Sequence, residues 1–108
     1  MALEPATPHV LEGKKKKYDC LEVRYRNLGL CHGEFFLCIA CYVTLPRQYK
    51  LLYAGFHENL DDFKKLYFDH PIYSYLFIPV DNAVEAAKII SDLTLVQGPS
   101  LVARQSNA

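Results

Sequence analysis

The chain has 108 residues, with 12 basic side chains balancing 12 acidic ones. A domain of that length buries about two thirds of its unfolded surface, so it needs neither a metal nor a disulfide to fold. Balanced charge excludes a global field that would draw in nucleic acid or an anionic membrane, and no run of about 18 apolar residues is present to span a bilayer.

Charged and proline residues occupy the N-terminus where a signal peptide would have its apolar core, which predicts an intracellular, cytoplasmic protein. Cys20, Cys31, Cys38 and Cys41 are then expected as thiols and not disulfides. Eight tyrosines and six phenylalanines supply more aromatic area than a small core needs, and tyrosine suits an interface because it joins apolar area to a hydroxyl.

Residues 1–17 are expected to form a disordered basic arm: Pro5, Pro8 and Gly13 interrupt it, and it shows no periodicity. Its basic run, Lys14, Lys15, Lys16 and Lys17, reads as a solvated hinge. It would make the protein nuclear if it served as an import signal, and it could also contact phosphates. A single α+β domain is expected over residues 18–96, followed by a flexible tail over 97–108.

From Tyr18 to Arg26 the pattern alternates, with Leu21, Val23 and Tyr25 on one face and Glu22, Arg24 and Arg26 on the other. That predicts a strand with one wet side. The glycines of Asn27–Gly33 predict a loop. Glu34–Leu45 is rich in Phe, Ile, Tyr, Val and Thr and predicts a second strand, ended by Pro46. Gln48–Gly55 predicts a third, paired antiparallel with the second through the short Leu45–Pro46–Arg47 connection.

Asn59 is an N-cap residue ahead of Asp61 and Asp62, and Leu60, Phe63, Leu66 and Tyr67 fall on one helical face. His70–Pro71 ends that helix. Ile72–Val80 is apolar on both alternate faces and predicts a central strand covered on both sides. Asp81 is expected to cap a second helix with Ala83, Ala86, Ala87, Ile90 and Leu93 inward, and Glu85, Lys88 and Asp92 towards water. Thr94–Val96 predicts a short edge strand. The order β-β-β-α-β-α predicts a mixed, mainly antiparallel sheet with two helices packed on it, Ile72–Val80 being the parallel strand of a crossover.

Cys38–Ile39–Ala40–Cys41 has the spacing of a metal knuckle. In a regular strand, however, residues three apart point to opposite faces, so the two thiols read as buried and inert, and no metal or other cofactor is expected. Cys31, beside His32 in a glycine-containing loop, reads as the more accessible thiol.

Tyr49 and Tyr53, with Arg24, Arg26, Arg47 and Lys50, make up the candidate binding surface, an aromatic and basic set on the strands. The first functional expectation is a small non-enzymatic module that binds a protein partner, or a second copy of itself, through a sheet edge or an aromatic-rich face. Regulators and inhibitors among viral and phage accessory proteins are of this type. The second expectation is nucleic-acid binding.

Gly33–Glu34–Phe35, followed by Tyr53–Ala54–Gly55 and the helix start at Asn59–Leu60, resembles the GIY-YIG nuclease family over Gly33 to Glu85. The resemblance implies His70 and Glu85 as the family's later histidine and metal-binding glutamate. Phe35 stands where the first signature has a tyrosine, and Phe63 where the catalytic arginine would lie. A phosphodiesterase needs a cation for the developing charge, so the resemblance implies an inactive relative.

Overall fold

The apolar run Leu76–Phe77–Ile78 folds as the middle strand of a five-stranded sheet in the computed structural model, which describes residues 6–44, 48–68, 71–93 and 103–105. The strands are β1 (Thr7–Glu12), β2 (Lys17–Arg24), β3 (Glu34–Thr44), β4 (Gln48–Asn59), β5 (Leu66–Phe68), β6 (Ser74–Pro79) and β7 (Ala103–Gln105). The helices are α1 (Leu60–Lys64) and α2 (Ala83–Asp92), and Tyr25–Leu30 forms a 3-10 helix. The main sheet has the order β1-β2-β6-β3-β4, while β5 pairs with β7 in a separate ribbon. The result is a compact α+β domain.

The expected parallel pairing of β6 is corrected: it runs antiparallel to both β2 and β3. Because β3 is also antiparallel to β4, strands β4 and β6 share a direction. The crossover through α1 therefore exists, but it steps over β3 and drops β6 between β2 and β3. There, strand-to-strand hydrogen bonds run perpendicular to the chain on both sides.

Thr7–Glu12, expected within a disordered arm, is an edge strand paired along its whole length with β2, from Thr7 opposite Glu22 to Glu12 opposite Lys17. Six residues are too few for a visible period, yet Leu11 finds a place in the core. The first helix is shorter than its apolar spacing suggested. Asn59 caps it as expected, its Oδ1 accepting from the Asp61 amide at 2.8 Å. Leu66–Phe68 then leaves the helix to pair with Ala103–Gln105, a long-range partner that overrides local periodicity. Ala103–Gln105 is thus a strand within the expected tail. The Leu45–Pro46–Arg47 connection, His70, the Thr94–Val96 strand and the rest of the tail lie outside the described residues.

The helix α2 begins one residue later than expected. Asn82 is its N-cap, accepting from the Glu85 amide at 2.9 Å, while Glu85 reaches back to the Asp81 amide at 3.2 Å. Ala86, Ile89 and Leu93 are buried, whereas Ala83 and Ala87 are exposed. Asp92, expected in water, is 8% exposed, for a reason given below.

The sheet carries a core on each face. On one, α2 covers Leu37, Ile39, Cys41, Leu76 and Ile78. On the other, α1, β5 and the 3-10 helix meet Val23, Phe36, Cys38 and Phe77. Val23 falls on the side expected to be buried. The other side of β2 is wet only at its far end: Arg24 is exposed as expected, whereas Tyr18 and Cys20 are buried towards α2.

Candidate functional site

Register fixes where the expected binding residues lie. Arg24 is opposite Ser74, which is opposite Cys41, which is opposite Leu51, so Arg24 and the neighbouring Lys50 sit at the same end of the sheet. Strands β6 and β3 lie between them, a separation of about 14 Å at the usual strand spacing. The Arg24 guanidinium lies 4.2 Å from the centre of the Tyr73 ring, and Arg26 is exposed on the 3-10 helix. Lys50 is half-buried opposite Tyr42, and Tyr49 is opposite Val43 in β4. Arg47 lies outside the described residues. The described members of the set are therefore spread along one rim and do not form a patch around Tyr53.

Tyr53 belongs to a different assembly. Its ring runs along β4 across Gly55, where a Cβ would collide with the phenol oxygen, and its hydroxyl meets His57 Nε2 at 3.0 Å. Residues two apart on a strand share a face, so Tyr53, Gly55 and His57 form one column, and the glycine makes room for the tyrosine ring. Phe63 of α1 closes over the column, 6.1 Å from the Tyr53 ring and 5.2 Å from the His57 ring. Phe63 also meets Tyr75 and Phe77 edge-on at 5.4 and 5.9 Å. Burial raises the pKa of Tyr53 and lowers that of His57, which favours a neutral ring accepting the phenol proton.

This arrangement separates the residues of the nuclease-like stretch. Tyr53 faces α1, whereas Glu85 lies on α2 across the sheet, its carboxylate at the Asp81 amide. Phe63 is a core ring, and His70 lies outside the described residues. Phe35 holds a left-handed backbone, φ 63°, with its carbonyl accepting from the Val80 amide at 3.0 Å. Nothing in that geometry brings Tyr53 and Glu85 to one metal or one phosphate.

Cys38 and Cys41 point to opposite faces, as the strand reading expects: Cys38 packs with Phe36 and Phe77, Cys41 with Ile39 and Leu76. Cys31 is corrected. It has no exposed surface, and its thiol points at the Asn27 carbonyl, 3.7 Å away. Burial pushes the Cys31, Cys38 and Cys41 thiols up and takes Cys20 to about 12, so all four stay protonated and are poor nucleophiles at neutral pH. Among the described residues, no three His, Cys, Asp or Glu side chains converge to hold a metal ion. No described helix is long and apolar enough to cross a membrane.

The basic run forms the turn between β1 and β2, and Asp92 holds it to α2. The Asp92 carboxylate accepts from the Lys15 amide at 2.8 Å, the Lys16 amide at 3.3 Å and the Tyr18 hydroxyl at 2.8 Å, while its backbone carbonyl accepts from the Lys14 amide at 2.8 Å. Burial acts to raise the Asp92 pKa, but these donors and the Lys15 charge outweigh it and leave the pKa depressed, which explains a carboxylate at a buried position. All four lysine side chains remain exposed.

An open groove of about 560 Å³ lies beside β1, lined by Pro8, Val10, Leu21 and Pro79 with His9, Asp19 and Cys20. Pro8 is opposite Leu21 and Val10 opposite Asp19, which puts the groove on the α1 face of the sheet, towards the β1 edge. Val10 is 53% exposed, a large apolar side chain in water at a sheet edge. Proline is tolerated in an edge strand where its missing N–H faces outward, and the alternation of the ladder then turns the Val10 and Glu12 backbone groups outward too. This segment falls within the expected disordered arm, because Pro8 and Glu12 at alternate positions do not look like strand.

No protein-family model matches the chain, no curated protein matches it, and no solved structure matches its fold.

Proposed function

We propose that this domain is a non-enzymatic module that binds an extended, apolar segment of a partner protein along β1. The observation that carries the reading is the groove lined by Pro8, Val10, Leu21 and Pro79 beside an edge strand whose Val10 side chain stands in water. An added strand would take hydrogen bonds from the outward backbone groups of Val10 and Glu12. Its alternate side chains would drop into the groove, so backbone pairing supplies affinity and the pocket supplies selectivity. Pro8 offers no N–H, which limits pairing to the Val10–Glu12 end and guards the edge against indiscriminate strand addition. Protonated, buried thiols and the separation of Tyr53 from Glu85 favour a binding role over chemistry.

Selection from a displayed library of random peptides tests this. The reading expects extended peptides with alternating apolar residues, and Val10→Asp abolishes their binding while Lys50→Glu does not. No selected peptide, or peptides indifferent to Val10→Asp, would count against it. Light scattering separates partner binding from self-association through the same edge.

A further inference from the structure

On the α2 side of the sheet lies a second, smaller pocket of about 200 Å³, lined by Lys15, Lys16, Tyr18, Lys88, Ser91 and Asp92. Two elements contribute its cations: Lys15 and Lys16 from the β1–β2 turn, and Lys88 from the exposed side of α2, one helical turn before Asp92. We propose that Lys15, Lys16 and Lys88 bind a compact phosphate group, a mono- or diphosphate.

Three features support the assignment. First, the turn is held in place. Asp92 accepts from both lysine amides and from the Tyr18 hydroxyl, and the Gly13 amide donates to the Lys16 carbonyl at 2.8 Å. The ammonium groups therefore project from a fixed backbone, which lowers the ordering cost of a ligand. Gly13 is needed here, because a Cβ would strike the Asp92 carboxylate.

Second, the cations outnumber the one carboxylate beside them: Asp92 also lines the pocket, and the Lys15 charge acts on it, but its oxygens are engaged with the turn amides and Tyr18, and among the described residues Lys15, Lys16 and Lys88 make no ion pair. Lys16 Nζ rests over the Tyr18 ring, 5.2 Å from its centre, and both residues line the pocket.

Third, size selects the ligand. The cavity is below the roughly 300 Å³ at which sites for drug-sized molecules begin, and it suits one or two phosphates. Lysine is a point-charge phosphate binder, and three such charges lining one pocket favour a multiply charged oxyanion over a monocarboxylate.

The test uses the full chain at low salt, with inorganic pyrophosphate, a nucleoside diphosphate and a single-stranded oligonucleotide as separate probes in calorimetric titration. Pyrophosphate is expected to bind at one site, with each of Lys15→Gln, Lys16→Gln and Lys88→Gln weakening it by about two- to fivefold. Lys65→Gln, at the C-terminal cap of α1 across the sheet, is expected to leave binding unchanged. Tighter binding of the nucleoside diphosphate identifies a nucleotide as the source, and equal binding identifies free phosphate; both support the site. No pyrophosphate binding, or losses equal to that of Lys65→Gln, would overturn it. Oligonucleotide binding that grows with length and depends equally on Lys14 and Lys17 would overturn it too, in favour of a diffuse backbone contact. The peptide groove lies on the opposite face, so failure here leaves that reading intact.

Discussion

The hydroxyl of Tyr53 lies 3.0 Å from Nε2 of His57, and Gly55 stands between them in the same strand. The glycine is the condition for the pair. Gly55→Ala places a methyl against the Tyr53 ring and is expected to destabilise the fold by about 1–3 kcal/mol, the usual cost of overpacking. Tyr53→Ala removes the obstacle, so the double variant should lose less than the sum of the singles. Chemical denaturation of the four proteins measures that coupling.

Acid should weaken this corner first. Burial lowers the His57 pKa from 6.5, so below that value the unfolded chain binds a proton that the fold resists. The unfolded state then holds more protons, and stability falls as pH drops through the unfolded value towards the folded one. Denaturation midpoints from pH 8 to pH 5 should show that fall, and His57→Gln should flatten the part that belongs to this ring.

Thiol chemistry should be silent in the native state. With Cys20, Cys31, Cys38 and Cys41 buried and protonated, an aromatic disulfide reagent at pH 8 should label no cysteine quickly. In denaturant all four should react. Rapid native labelling of Cys31 would show that its loop opens.

The depressed pKa of Asp92 works in the opposite sense from a raised carboxyl. Its contribution is present above the ordinary carboxylate value and lost as pH falls through the folded one. Asp92→Asn should lower the melting temperature and speed hydrogen exchange at the Lys15 and Lys16 amides, because it removes the acceptors that fix the turn. An unchanged exchange pattern would mean that the turn holds itself.

Leu76 is 1% exposed in the middle strand, with β2 on one side and β3 on the other. Leu76→Asp buries an unpaired charge that costs several kcal/mol, a large share of the roughly 5–15 kcal/mol that holds a domain together. Circular dichroism should report an unfolded chain, and a folded variant would contradict the central position of β6.

Much of this fold was legible in the sequence because local patterns agreed with the outcome. The two-faced apolar run marked the middle strand, the Phe- and Ile-rich stretch marked β3, and Asn59 marked a cap. Direction was not legible, since a crossover that steps over one strand reads the same as one that lands beside its start. Asp92 was misread because its donors come from a turn 76 and 77 residues away, beyond any local pattern. The groove was hidden because β1 has only six residues and two of its alternate positions, Pro8 and Glu12, do not look like strand. The Tyr53 column was within reach: a tyrosine, a glycine and a histidine at alternate positions of a strand share a face.

The groove reading is tested most directly by amide hydrogen exchange and chemical-shift mapping of the domain with a selected peptide. The account predicts new protection at the Val10 and Glu12 amides and shifts at Leu21, with β4 unchanged. Protection or shifts centred on β4 around Lys50 and Tyr53, with Val10 unaffected, would contradict it.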